Sequence, residues 1–112
     1  MRKHIGMKLR EVNLSMITYG YAKKYKYNND GTLSIQVRIP AIHGPYKQSE
    51  YRGSAIRNYI LDKDLPMYSS VLLPKLPNEG DIVALLATNS SNSDFIVIGL
   101  TGGTYHNAPL SN

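Results

Sequence analysis

The sequence predicts an all-β domain built as a small five-stranded barrel, with an extended arm before it and a tail after it. Three observations carry that expectation. At 112 residues the chain has material for one core and not two. Its apolar residues fall into short, strand-length runs, and one of them, Thr32–Ile39, alternates cleanly with a period of two. Between the runs stand Asn-Asn-Asp-Gly, Pro-Asn-Glu-Gly-Asp and Asn-Ser-Ser-Asn-Ser-Asp, which are turn and hairpin chemistry.

Residues 1–15 read as the arm. Arg2, Lys3, Lys8 and Arg10 lie there with Glu11 as the lone acid, and scattered apolar residues offer no regular face. No apolar stretch follows Met1-Arg2-Lys3-His4, so the start does not read as a signal peptide. Met16–Tyr27 is rich in β-branched and aromatic residues, as a first strand requires. Gly20 interrupts it, as at a bulge or a close backbone approach. Asn28–Gly31 is the strongest hairpin signal in the chain. Thr32–Ile39 then alternates: Leu33, Ile35, Val37 and Ile39 point one way, Thr32, Ser34, Gln36 and Arg38 the other, as in a half-buried strand. Pro40 ends it.

Residues 41–66 form the long connection, read as an ordered loop or a short helix from Ser54 to Leu61. Met67–Leu73 is the third strand, closed by Pro74. Ile82–Thr88 is the fourth; it is apolar on both faces, which predicts a well-covered strand. Phe95–Leu100 is the fifth, with Gly99 expected where another backbone comes near. Residues 101–112 read as a Gly-rich, polar tail. Closing five short strands removes exposed edges, and the OB-type barrel is the common solution; an SH3-like barrel or an open sandwich is the alternative. The domain proper spans 16–100.

Composition excludes several classes. There is no Cys, hence no disulfide framework, zinc ribbon or thiol nucleophile, as fits a reducing compartment. No run approaches the ~20 apolar residues of a membrane helix. Most acids fall in turns, and Asp62 and Asp64, the one close carboxylate pair, flank Lys63 in a loop. His4, His43 and His106 show no metal spacing. Ser69-Ser70 lacks a nucleophile elbow, and Thr101–Thr104 precedes no helix or Lys as a phosphate loop would. The expectation is therefore a protein without turnover, metal or cofactor.

Three stretches together resemble a known family. They are Ile17–Ala22 running through Asn29-Asp30-Gly31 to Ile35–Pro40 and Ile42-His43-Gly44; Leu65–Tyr68 with Val71-Leu72 and Pro74; and Pro77–Val83 closing on Phe95–Gly99. Their order and spacing resemble the OB-fold domain at the base of contractile-tail spike proteins, a family of phage baseplate hub and spike proteins and the valine-glycine-repeat spikes of type VI secretion. Ala41 stands where that family favours Gly, and Met67 precedes Tyr68 where an aromatic often comes first. The resemblance implies a structural OB module of a virion, a phage tail baseplate assembled in the host cytoplasm. It would contact other hub and spike subunits and form a homotrimer within the larger assembly. A chain of this length is expected not to carry its own spike or to insert into a membrane.

Under that reading the contact residues are Arg2, Lys3, Lys8 and Arg10 of the arm, Tyr46, Arg52, Arg57 and Tyr59 of the long connection, and Tyr105 of the tail. Arg and Tyr are favoured interface residues. The competing reading is single-stranded nucleic acid. If the first strand is regular, Tyr19, Tyr21, Lys23, Tyr25 and Tyr27 share a face, with Lys24 and Lys26 on the other. Stacking rings beside cations are how OB-folds grip bases and phosphates. A bulge at Gly20 would split that set. The net charge of +5 is concentrated in the arm and at the end of this strand, which fits docking on an acidic neighbour better than a groove-wide field.

Overall fold

A computed structural model describes residues 17–52, 58–89 and 94–105. Among these residues lie five strands, β1 (Ile17–Tyr27), β2 (Leu33–Arg38), β3 (Met67–Ser70), β4 (Asp81–Ala87) and β5 (Phe95–Thr104). One short helix, α1 (Pro40–His43), follows β2. Two 3-10 turns, Gln48–Glu50 and Asp62–Asp64, lie in the long connection. The strands close into one mixed sheet in the order β1-β2-β3-β5-β4, with β4 pairing back onto β1. All neighbours are antiparallel except β3 and β5, which run parallel.

The core is the inner face of the closed sheet. Ile35, Val37, Val83, Leu85 and Val97 are fully buried, joined by Ala22, Leu33, Ile39, Tyr68, Ala87 and Phe95. These are the positions that period-two alternation assigns to one side. The Asn28–Gly31 hairpin forms as its chemistry dictates. Gly31 sits at φ 85°, its N–H donates to Asn28 O, and Asn28 N–H donates to Thr32 O. The Asp30 carboxylate accepts from both the backbone and the hydroxyl of Thr32, which holds its pKa below the usual value.

β1 serves two neighbours. Residues 17–21 pair with β4 and residues 21–27 with β2. A bulge lets it turn from one to the other, at Lys23: Ala22 opposes Val37 and Lys24 opposes Gln36, leaving Lys23 unopposed. The bulge is thus three residues beyond Gly20. Gly20 instead marks a close approach: a Cβ there would lie 2.4 Å from Val37 Cγ1 and 2.9 Å from Arg38 O.

Several expectations are corrected. Gln36 and Arg38, assigned to the solvent face of β2, are buried, because residues 58–65 of the connection lie over them. β3 ends at Ser70, three residues early. Its last tie is Val71 N–H to Val97 O, after which the chain leaves the sheet. β4 alternates between buried and half-buried residues rather than being covered on both faces, since only one face of a closed sheet looks inward. A Cβ at Gly99 would meet nothing within 4 Å, so no backbone packs against that side of the strand. The stretch read as the start of a tail continues β5 to Thr104, which stands opposite Asp81. Gly102 at φ 86° and the Thr101 hydroxyl, which donates to Ile82 O and accepts from Gly103 N–H, absorb the irregularity. The helix considered for 54–61 falls partly outside the described residues; Asn58–Leu61 is not helical.

Candidate interaction surface

The long connection is fastened to the outside of β1 and β2 by polar groups. Arg38 is the centre. Its guanidinium donates to His43 O at 2.8 Å, to Ile60 O, and to Asp62 Oδ1 at 2.8 Å. The Tyr59 ring lies over it at 4.4 Å. Gln36 reaches the same segment, donating to Asp62 O and Leu65 O at 3.1 and 3.0 Å. A buried guanidinium costs several kcal/mol unless it is paired, so the sequence places carbonyls, a carboxylate and a ring around it.

His43 ties α1 to β3. Its Nδ1 accepts from Ile39 N–H at 2.9 Å, and Nε2 lies 3.4 Å from the Tyr68 hydroxyl. An accepting Nδ1 fixes the neutral tautomer with its proton on Nε2. Burial, with the Arg38 charge second, pushes the imidazole down to about 4. Burial also raises the Tyr68 phenol to about 12.

The Lys23 bulge turns its side chain into the same region. Lys23 Nζ lies 3.2 Å from Asp62 Oδ2, 3.5 Å from Glu79 Oε2 and 4.0 Å from the Tyr46 ring centre. Burial works against its charge, but the Asp62 hydrogen bond, Tyr46 and the two carboxylates outweigh it and raise its pKa. For Asp62, burial is likewise overcome by Arg38 and Lys23, which lower its pKa.

Beside this network stands a tyrosine cluster. Tyr46 and Tyr105 stack at 4.1 Å, and Tyr21 meets both edge-on at 5.2 and 5.7 Å. Tyr19 lies edge-on to Tyr21 at 5.9 Å. The Tyr105 hydroxyl donates to Glu50, which, with smaller contributions from burial and neighbouring groups, pushes its pKa up to about 12. Tyr105 N–H donates to Gly80 O. The 46–50 segment and the end of β5 are thus clasped together.

The bulge decides what becomes of the tyrosine stripe on β1. Opposed residues share a face. Tyr21 opposes Arg38 and Tyr19 opposes Ala84, on the outside. Tyr25 opposes Ile35 and Tyr27 opposes Leu33, on the core side. The five residues expected on one face therefore split, at Lys23 instead of Gly20. Tyr21 and Lys23 are buried inside the clasp. Tyr25 and Tyr27 form a separate exposed pair at 6.2 Å, with Lys24 and Lys26 exposed on the same strand end.

Of the residues expected at a protein interface, Tyr46 and Tyr105 stack on each other and Tyr59 lies over Arg38, all three half-buried on the chain's own cations and rings, while Arg52 is exposed, donating to Ser49 O and Tyr51 O. Arg2, Lys3, Lys8, Arg10 and Arg57 lie outside the described residues. Sequence reasoning missed Arg38, Gln36 and Glu50; alternation sends Arg38 and Gln36 to solvent, and only the length of the connection hinted at a cover.

The described residues hold eight Lys and Arg against seven Asp and Glu, one unit of the chain's +5. The remaining four units belong to residues 1–16 and 53–57. Among the described residues no three His, Cys, Asp or Glu side chains gather as metal ligands, and no helix is long and apolar enough to cross a membrane. Comparison with family models, curated proteins and solved structures finds no match.

Proposed function

We propose that this chain is an OB-type barrel serving as a structural subunit of a contractile phage tail baseplate or a related injection machine. It would join tube or hub to the central spike through protein–protein contacts, as a homotrimer in the larger assembly, without turnover, metal or cofactor. The observation that carries the reading is the strand order β1-β2-β3-β5-β4 with a parallel β3–β5 closure, the wiring expected of a five-stranded OB barrel. The motifs behind the baseplate resemblance fall at its joints. Arg38–Pro40 ends β2 on the buried guanidinium, Leu65–Tyr68 leads into β3, and Glu79-Gly80-Asp81 turns into β4. The concentration of basic residues in 1–16 supports docking on an acidic neighbour.

Immunogold labelling of an epitope-tagged chain in purified tails tests this. Label is expected at the baseplate end; tails that assemble without the chain refute the reading.

One observation favours single-stranded nucleic acid as a second reading: the exposed Tyr25–Tyr27 pair beside Lys24 and Lys26. Tyr21 has no part in it, being buried. A labelled oligonucleotide titrated at low and high salt separates the two. Salt-sensitive binding that Tyr25→Ala and Lys24→Ala both weaken would replace the structural reading.

A further inference from the structure

We propose that Arg38 and Lys23 form a ready-made oxyanion site, closed in this structure by Asp62 as an exchangeable internal ligand, which an external carboxylate or phosphate can replace. Three observations carry it. First, the two cations take the two oxygens of a single carboxylate: Arg38 Nη2 to Oδ1 at 2.8 Å, Lys23 Nζ to Oδ2 at 3.2 Å. This is the bridging geometry that any planar or tetrahedral oxyanion satisfies. Second, burial is lopsided. The Arg38 side chain is 0% exposed and that of Lys23 8%, whereas Asp62 is 55% exposed. The cations belong to the wall, and the anion reaches them from the solvent side. Third, Arg38 Nε is buried without a hydrogen-bond partner, so the guanidinium keeps a donor that Asp62 does not satisfy.

The cations are held independently of Asp62. Carbonyls of His43 and Ile60 and the Tyr59 ring fix the guanidinium; the β1 bulge, Tyr46 and Glu79 fix Lys23. The Asp62 turn is held independently too, since Gln36 grips its backbone at Asp62 O and Leu65 O. The carboxylate can therefore leave without its turn leaving. The site does not depend on the baseplate reading.

Anion rescue tests it. Melting temperatures of wild type, Asp62→Ala and the double variant Lys23→Ala/Asp62→Ala are measured at neutral pH and matched ionic strength in chloride, in phosphate and with a hexaglutamate peptide. Asp62→Ala is expected to melt lower than wild type in chloride. It should recover saturably, by about 5 °C at roughly tenfold excess over Kd, while wild type and the double variant respond far less. A larger response to the peptide than to phosphate assigns the site to a protein partner's carboxylates; the reverse assigns it to free phosphate. Equal responses in all three proteins, or none, overturn the proposal. Should Asp62→Ala not fold, the Arg38 Nε–H resonance of wild type decides. A saturable shift on phosphate titration, absent in Lys23→Ala, upholds the site, and an unmoved resonance overturns it.

Discussion

Two strand glycines that look alike in sequence should respond to the same substitution with opposite signs. At Gly20 an added methyl would stand 2.4 Å from Val37 Cγ1 and 2.9 Å from Arg38 O. Carbon atoms in contact prefer about 3.5–4.0 Å, so the first overlap exceeds an ångström. Neither neighbour can retreat. Val37 is fully buried and β-branched, with few rotamers. The Arg38 backbone belongs to β2, and its side chain is tied to the long connection. Overpacking a core costs about 1–3 kcal/mol; with two clashes, one against backbone, Gly20→Ala should fall at the top of that range. At Gly99 the same methyl meets nothing within 4 Å, and removing glycine from a strand interior should stabilise by about 0.5–1 kcal/mol.

Urea unfolding followed by far-ultraviolet circular dichroism measures both, with the slope m checked for a common denatured state. In heat, Gly20→Ala should lower Tm by roughly 10 °C at about 4 °C per kcal/mol. A Gly20→Ala protein within about 0.5 kcal/mol of wild type at unchanged m, the range of inert surface changes, would refute the claim that β1 crosses β2 at this spacing. A Gly99→Ala protein as unstable as Gly20→Ala would refute the open space assigned to Gly99.

Other substitutions probe the outer network and the hairpin. Arg38→Met keeps bulk but orphans the His43 and Ile60 carbonyls; it should cost about 2–4 kcal/mol and speed hydrogen exchange in residues 58–64 before the core. Gly31→Ala meets no atom but must hold φ 85°; it should cost about 1–2 kcal/mol in the same urea assay, and Gly31→Asn should cost less. The acid limb of stability should belong to His43. Its folded pKa of about 4 lies below the ordinary imidazole value of 6.5, so between those values the unfolded chain binds the proton first. Stability is then intact above about 6.5, falls as the pH drops toward 4 and levels below it, a loss on the order of 3 kcal/mol. Asp62, also lowered, adds its loss only below the ordinary carboxylate value of 3.8. His43→Gln should flatten the upper limb, and urea midpoints across that range that parallel wild type would count against the assignment.

What could be read from the sequence was what neighbouring residues decide among themselves. Leu33, Ile35, Val37 and Ile39 alternate because a strand facing a core must, and all four are buried. Asp30-Gly31 turns because Gly takes φ 85° without cost and Thr32 satisfies the carboxylate. What could not be read depends on chain far away. Arg38 alternates like a solvent residue and is buried only because segments 22 and 24 residues on supply Ile60 O and Asp62. Residues 101–104 have the composition of a tail, and they remain in β5 because Asp81 and Gly80 present pairing partners.

The bulge at Lys23 joins these two classes of information. Nothing in Tyr-Gly-Tyr-Ala-Lys-Lys-Tyr announces which residue is the extra one, because Gly20 is the more inviting place for it. Closure decides. β1 must leave β4 near Tyr21 and follow β2 to Tyr27, and the turn falls two residues past Tyr21, the residue the two pairings share. Once it falls at Lys23, one displacement has three effects. Tyr25 and Tyr27 pass to the face of Ile35 and Leu33, so the aromatic stripe that suggested a base-stacking platform ceases to be continuous. Tyr21 stays outside to pack on Tyr46 and Tyr105. Lys23 is turned toward the Asp62 carboxylate that Arg38 already holds. One of the three lysines of the basic strand end that suggested a partner is therefore spent within the chain, and Lys24 and Lys26 are what it offers outward.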